Sequence, residues 1–446
     1  MLYYGWLWCK IAICQKKPKI CFTDIQENRF IMKKKKKFLA GLLALGLSAS
    51  LLFQIPAYCA EQENAQAASA ISTNEISGWP AGPEITSTAA VVMEDSTNTI
   101  LYAKNMDQPL YPAAAVKIMT ILTALENSSL TDQVTITATG VSGATDGGAN
   151  IAAQLDEVFT MEQCLYAIML VSANDIAMQV AEHVGGSVEA FVEKMNTRAS
   201  ELGCTNTVFT NPTGMTDENQ HTTARDMALI MKAAISNPSF RTIAAATSYT
   251  IPATNIAGGE RVLSNNFAMM APSNTSYYQG CLGGKEGFTE ASGSTLVCAA
   301  ERNGSTLIAV VLNGASGQTV NEGITVLDYG FSNFHKVSVG ENDFNLLEGG
   351  TAVLPTTASA SDVTAQDADM NGQILRTYLY HGASVGTAIL ENVQEDNSIV
   401  VDGASNMKEA KSFTENKSMV PYYVIGILGA GFLIALLVWM IKIIKS

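Results

Sequence analysis

"SGSTLVCAAERNGSTLIAVVLNG", residues 292–314, decides the fold of the central part of this chain. Two apolar runs flank the polar stretch "ERNGS". Apolar runs on either side of an Asn-Gly pair predict two antiparallel strands joined by a tight turn. A second strand pair is expected near Ala89, where apolar "AAVVM", the turn-forming "EDSTNT" and then "ILYAK" follow one another. Between the two hairpins the texture is helical. "YPAAAVKIMT" (111–120) has a proline in its first turn and opens a helix that runs to about Ser128. "MEQCLYAIMLVSANDIAMQVAEHVGG" is helical on both sides of a break around Ser172–Asp175. Ser187 is the expected N-cap of an amphipathic helix that Gly203 ends, and a further helix starts at Thr222 or Thr223. "VLDYGFSNF" reads as the last helix of this region. Helices around a hairpin-bearing sheet predict an α+β domain over residues 80–335. From about Lys336 short alternating strands lie among Gly, Thr and Ser, so residues 336–401 are expected to form a small all-β domain.

The two ends read as addresses rather than fold. Residues 32–60, "MKKKKKFLAGLLALGLSASLLFQIPAYCA", place five lysines before an apolar stretch and small residues, the pattern of a secretory signal peptide. Residues 1–31 are then an upstream extension from a start site set too early, and the polar residues 61–79 a flexible lead-in. Near the other end, Val420 to Ile441 is a run of 22 residues without charge. At about 1.5 Å per residue it spans the ~30 Å hydrocarbon core of a bilayer. A transmembrane helix over 420–441, preceded by a linker over 402–419, makes this a single-pass cell-membrane protein. The export signal puts its body on the extracytoplasmic face.

Charge narrows the partners. The chain has 27 basic and 41 acidic residues, of which 10 and 2 precede residue 61; the remainder keeps 17 and 39, a net of −22. A body this acidic is a poor partner for nucleic acid. Cys164, Cys204, Cys281 and Cys298 are isolated and read as mostly buried thiols. His183, His221, His335 and His381 show no metal-ligand spacing, so neither a metal nor a cofactor is expected.

Three places concentrate polar residues in apolar company: Lys117, the triplet Ser172–Asn174, and "KEGFT" at Lys285–Thr289. Lys117 and Ser172 are 55 apart in sequence, Ser172 and Lys285 113 apart. This order resembles the penicillin-interactive serine enzymes, which carry S-x-x-K, a Ser-x-Asn triplet and K-T-G. "MEDSTNTILYAKNMDQPLYPA", "LVSANDIAMQVAEHVGGS", "FTNPTGMTDENQHTTARDMALI" and "GGKEGFTEASGSTLVCAAERNGSTLIAVVL" together resemble the D-alanyl-D-alanine carboxypeptidases, the low-molecular-weight penicillin-binding proteins of peptidase family S11. The resemblance covers roughly residues 88–330. It implies a β-lactamase/transpeptidase-like domain with an antiparallel sheet between helical layers, then the small β domain and a membrane attachment. It also implies a peptidoglycan stem peptide, or its precursor, as ligand, with a protein partner at the cell wall as the further expectation.

The resemblance assigns roles as well. The Ser of the first motif attacks the peptide carbonyl between two D-alanines, and the Lys one turn later takes its proton. Carried over, Lys117 is the base, Ser172 the proton relay and Asn174 the holder of the substrate amide. Lys285 is the cation for the terminal carboxylate, and Ala114 and Phe288 give the oxyanion hole through their N–H groups. This chain departs twice. The nucleophile position is Ala114, and no shift of frame within 111–120 supplies a Ser or Cys. Glu286, before Gly287, replaces the Thr of K-T-G. A carboxylate touching Lys285 would offset its charge and repel an anionic ligand by roughly 4 kcal/mol at an effective dielectric of ~20. The sequence therefore predicts a member of this family, removing terminal D-Ala by ancestry, whose acyl-enzyme route is lost; a non-catalytic binding role is the alternative.

Overall fold

The computed structural model describes residues 71–145, 147–340 and 345–392. Strands β1 (Ala89–Glu94) and β2 (Ile100–Lys104) lead to helix α1 (Val116–Asn127). A short pair, β3 (Gln133–Thr135) and β4 (Val158–Thr160), brackets α2 (Ala138–Gly143). Four more helices come after α3 (Met161–Val171): α4 (Asn174–Gly185), α5 (Val188–Glu201), α6 (Ala224–Ser236) and α7 (Pro238–Ala245). The hairpin β5 (Ser248–Ile251) and β6 (Arg261–Ser264) precedes three long strands, β7 (Cys281–Thr289), β8 (Gly293–Arg302) and β9 (Ser305–Gly314). Helix α8 (Thr319–Asn333) follows.

The long strands form one antiparallel sheet in the order β2-β1-β9-β8-β7. The hairpin of residues 292–314 is its centre. Asn303 and Gly304 both take positive φ, 52° and 76°, the backbone of a type I′ turn, which Asn-Gly reaches at little cost. All of β1 is buried, as a central strand covered on both faces must be. Side chains alternate between two cores. Val91, Met93, Val297, Ala299 and Val310 join the core built by α1, α3, α4 and α6. Val92, Leu296, Cys298, Ala309 and Val311 join the core on the side of α8. The sheet lies between helical layers, as the resemblance implied.

Helix ends are set locally. Thr160 and Gln163 form a capping box at α3, Ser187 caps α5 by accepting from Ala190 N (3.1 Å), and Thr223 caps α6 by accepting from Asp226 N (3.1 Å). Arg225 and Asp226, one residue apart on α6, are tied down structurally: Arg225 pairs with Asp107 (2.6 Å), and Asp226 accepts from Asn206 N and Thr207 Oγ1.

The flexible lead-in expected over 61–79 is corrected in its second half. Ile71 and Trp79 are buried, and Trp79 Nε1 donates to Leu101 O (2.9 Å). The indole packs on Phe334 (5.0 Å between centroids) and Tyr380 (6.1 Å), so the β domain covers it. That domain starts two residues earlier than expected, because β10 (Phe334–Ser338) runs straight on from α8. The other strands are β11 (Leu346–Gly349), β12 (Thr351–Pro355), β13 (Thr364–Met370), β14 (Gln373–Tyr380) and β15 (Ala383–Glu391). β10 pairs with β12, and the rest form a sheet in the order β11-β15-β14-β13. The upstream extension, the signal peptide, the linker and the 420–441 span lie outside the described residues. Among those residues, no helix is long and apolar enough to cross a membrane.

Candidate active site

The site begins where the chain enters α1. Residues Ala113–Ala115 form a 3₁₀ turn ahead of the helix, and Ala113 sits at φ 48°, a left-handed conformation that costs an alanine about 1 kcal/mol. Two close approaches hold this turn. A Cβ at Gly214 (φ 84°) would overlap the Ala113 carbonyl. A Cβ at Gly287 would lie 2.6 Å from Ala114 N, so glycine lets β7 lie directly against the turn. Ala114 is half-buried, with the backbone of Gly287 beside it.

Lys117 follows one helical turn later and is 2 % exposed. Its Nζ donates to Asn174 Oδ1 (2.7 Å) and to the Thr213 carbonyl. Burial pushes its pKa well below the usual lysine value, and the nearby Lys285 cation pushes the same way. Asn174 opens α4, and its N–H donates to Ala149 O (2.7 Å). Ser172 ends α3 at φ 62°, the left-handed C-cap that makes the break between the two helices. Its hydroxyl is half-buried and has no hydrogen-bond partner among the described residues. Asp175 is wholly buried and accepts from Ile151 N and Ala153 N, which fixes the loop in front of α4.

Lys285 comes from the edge strand β7 and is 2 % exposed. It donates to Met169 O (2.9 Å), and burial lowers its pKa to about 8, with the Glu286 carboxylate opposing. Here the sequence expectation is corrected. Lys285 pairs across the ladder with Val297, which faces the α1 side, and Glu286 pairs with Leu296, which faces the α8 side. Adjacent strand residues point to opposite faces, so the two side chains do not meet. Glu286 Oε1 instead accepts from Ala268 N (3.0 Å), and burial raises its pKa against that bond and the Lys285 charge. It lines a polar recess with Asn266, Thr295 and Thr319, next to Phe288, which is 60 % exposed.

The structure thus brings Lys117 to Asn174, Gly287 to Ala114, and Lys285 to the end of α3 just before Ser172, and leaves the Glu286 side chain on the other face of the sheet. Sequence reasoning missed the Thr213 carbonyl, Lys117's second acceptor. The segment "NPTGM" contributes a backbone atom there, and only the glycine after Thr213 signalled a forced geometry. Chemically the cleft offers two buried amines with lowered pKa, backbone donors beside Ala114, and no hydroxyl one turn before the lysine.

Comparison with known proteins gives the family. The sequence profile of peptidase family S11, D-alanyl-D-alanine carboxypeptidase, matches residues 77–316. The D-alanyl-D-alanine carboxypeptidase DacF of Bacillus subtilis is 28% identical over 347 residues, 72% of this chain and 85% of that protein. The enzyme DacB2 of Mycobacterium tuberculosis is 30% identical over 259 residues, 56% of this chain and 84% of that one. Penicillin binding protein 5 from Haemophilus influenzae superposes with a TM-score of 0.58 at 25% identity, covering 70% of this chain and 98% of that chain. A D-alanyl-D-alanine carboxypeptidase from Mycobacterium tuberculosis H37Rv gives a TM-score of 0.53 at 28% identity, over 58% of this chain and 95% of that chain.

Proposed function

The chain belongs to the D-alanyl-D-alanine carboxypeptidase family of peptidoglycan metabolism, peptidase S11, and on that premise we propose that it binds stem peptides without turning them over. The observation that carries this reading is Ala114 standing one turn before a buried, hydrogen-bonded Lys117. A methyl group cannot attack a carbonyl. Removing the nucleophile of a serine hydrolase costs on the order of 10⁶ in rate, about 8 kcal/mol of barrier.

The rest of the cleft supports binding. Lys285, with a pKa near 8, is mostly charged at neutral pH and suits a terminal carboxylate. Ser172 and Asn174 match the family's Ser-x-Asn triplet, and on that match Asn174 would hold the substrate amide and Ser172 relay a proton. The N–H groups of Ala114 and Phe288 suit the carbonyl oxygen that an attacked peptide would present. Lys117 has lost the hydroxyl it would deprotonate. The signal peptide at 32–60 and the apolar span at 420–441 support a body held at the outer face of the cell membrane, where stem peptides or a wall-bound protein partner are met.

Titration calorimetry of the full chain with an acetylated peptide ending in L-Lys-D-Ala-D-Ala, with free D-Ala measured in the same sample, tests this. Heat of binding without D-Ala release is the expected outcome. Release of D-Ala at multiple turnovers, or no binding at all, contradicts it.

A further inference from the structure

The Lys117 amine is a buried reactive group that a binding role leaves without work. Its surroundings suit it to chemistry of its own. A protonated ammonium has three N–H groups, yet Nζ has two acceptors, Asn174 Oδ1 and the Thr213 carbonyl, and no third among the described residues. Two acceptors match the two N–H groups of a neutral amine and leave a lone pair. Ala114, one turn earlier on the same helical face, presents a methyl where a hydroxyl would have engaged that lone pair. Lys117 itself is 2 % exposed, but Ala114 on its own helical face and Ser172 beside Asn174 are half-buried, so solvent comes within a residue of the amine. A lysine desolvated beside a second cation is the arrangement that activates an amine as nucleophile. Lys285 supplies that cation: it is buried, donates to the Met169 carbonyl and to no other acceptor among the described residues, and acts on Lys117 electrostatically.

We propose that Lys117 is a nucleophilic lysine that forms an imine with small carbonyl compounds bearing a carboxylate, the 2-oxo acids and carboxyl-bearing aldehydes. Lys117 takes the carbonyl carbon and Lys285 the carboxylate. The amine lone pair attacks the carbonyl carbon, a C–N bond forms, and the oxygen takes up a proton to give a carbinolamine. That proton comes from the attacking nitrogen; the one N–H hydrogen left on the carbinolamine then departs with the hydroxyl as water, and the imine remains. This role goes beyond stem-peptide binding and does not depend on it. Burial and the Lys285 charge both favour the unprotonated amine at neutral pH, where an ordinary lysine is only roughly one part in 10³ neutral. The other charged groups nearby are turned elsewhere: Glu286 to the far face of the sheet and Asp175 to backbone N–H groups.

The test is reductive trapping on the full chain at pH 7, with glyoxylate and sodium cyanoborohydride, read by peptide mapping. Lys117 should be alkylated at least tenfold faster than the exposed Lys194, and faster by glyoxylate than by uncharged acetaldehyde at equal concentration. Lys285→Gln should slow Lys117 labelling several-fold, because the amine regains its proton and the carboxylate loses its partner. Ala114→Ser should slow it too, since the hydroxyl then engages the lone pair. Both variants keep Lys117, so neither result hangs on the folding of a lysine mutant. Labelling of Lys117 no faster than that of surface lysines, or labelling indifferent to both variants, overturns the proposal. Failure here leaves the calorimetric test of peptide binding untouched.

Discussion

The sharpest perturbation is Ala114→Ser, which adds one oxygen at a half-buried position. Nothing else in the cleft has to move: Gly287 and Gly214 already hold the turn, and Lys117 waits one turn on. Losing the nucleophile accounts for about 10⁶ in rate, so restoring it sets the upper bound of recovery. What remains wrong is position 286. Had Glu286 touched Lys285, its charge would have cost roughly 4 kcal/mol; facing the opposite side of the sheet, at on the order of 8 Å and an effective dielectric of ~20, it costs about 2 kcal/mol. That is roughly thirty-fold. The single variant should therefore recover about 10⁴ of the lost acylation rate, and Ala114→Ser with Glu286→Thr roughly thirty-fold more. The assay is the time course of fluorescent penicillin attachment, mapped to residue 114. A folded Ala114→Ser protein that stays unlabelled would refute the claim that the rest of the site is intact. Equal rates for the single and double variants would show that Glu286 has no part in the loss.

Three further outcomes follow from the geometry. Binding of a carboxylate-ended peptide should weaken as pH rises through about 8, because Lys285 then loses the proton that makes it a cation; calorimetry at pH 7 and 9 checks this. Glu157 is wholly buried; burial pushes its pKa up, but Arg261 (2.8 Å), Thr254 and the Gln154 N–H hold it below the ordinary value. Its contribution is fully present above the unfolded value and is lost as pH falls through the folded one. Glu157→Gln should thus cost about 3 kcal/mol at pH 7, and progressively less as pH is lowered below the ordinary carboxylate range, read from urea midpoints. Gly214→Ala should destabilise the fold by about 2 kcal/mol or more, since φ is 84° and the new methyl would meet the Ala113 carbonyl; a thermal melt measures it.

What the sequence made legible was local. The Asn-Gly turn, the caps at Ser187 and Thr223, the break at Ser172 and the alanine at 114 each depend on a handful of neighbouring residues. What it hid was non-local or carried by the backbone. Trp79 sits in a polar stretch, and its burial is decided by Phe334 and Tyr380, far along the chain. The Thr213 carbonyl has no residue-type signature at all. Glu286 is the instructive case. Its alternation with Lys285 on a strand was available, and period two alone puts the carboxylate on the other face.

The most direct measurement is intact mass spectrometry of the unsubstituted chain after prolonged exposure to penicillin, with and without hydroxylamine. An unchanged mass is predicted, because no hydroxyl stands at 114 to hold the acyl group. A mass gain of one penicillin that hydroxylamine removes, the mark of an ester-linked acyl-enzyme, would contradict it.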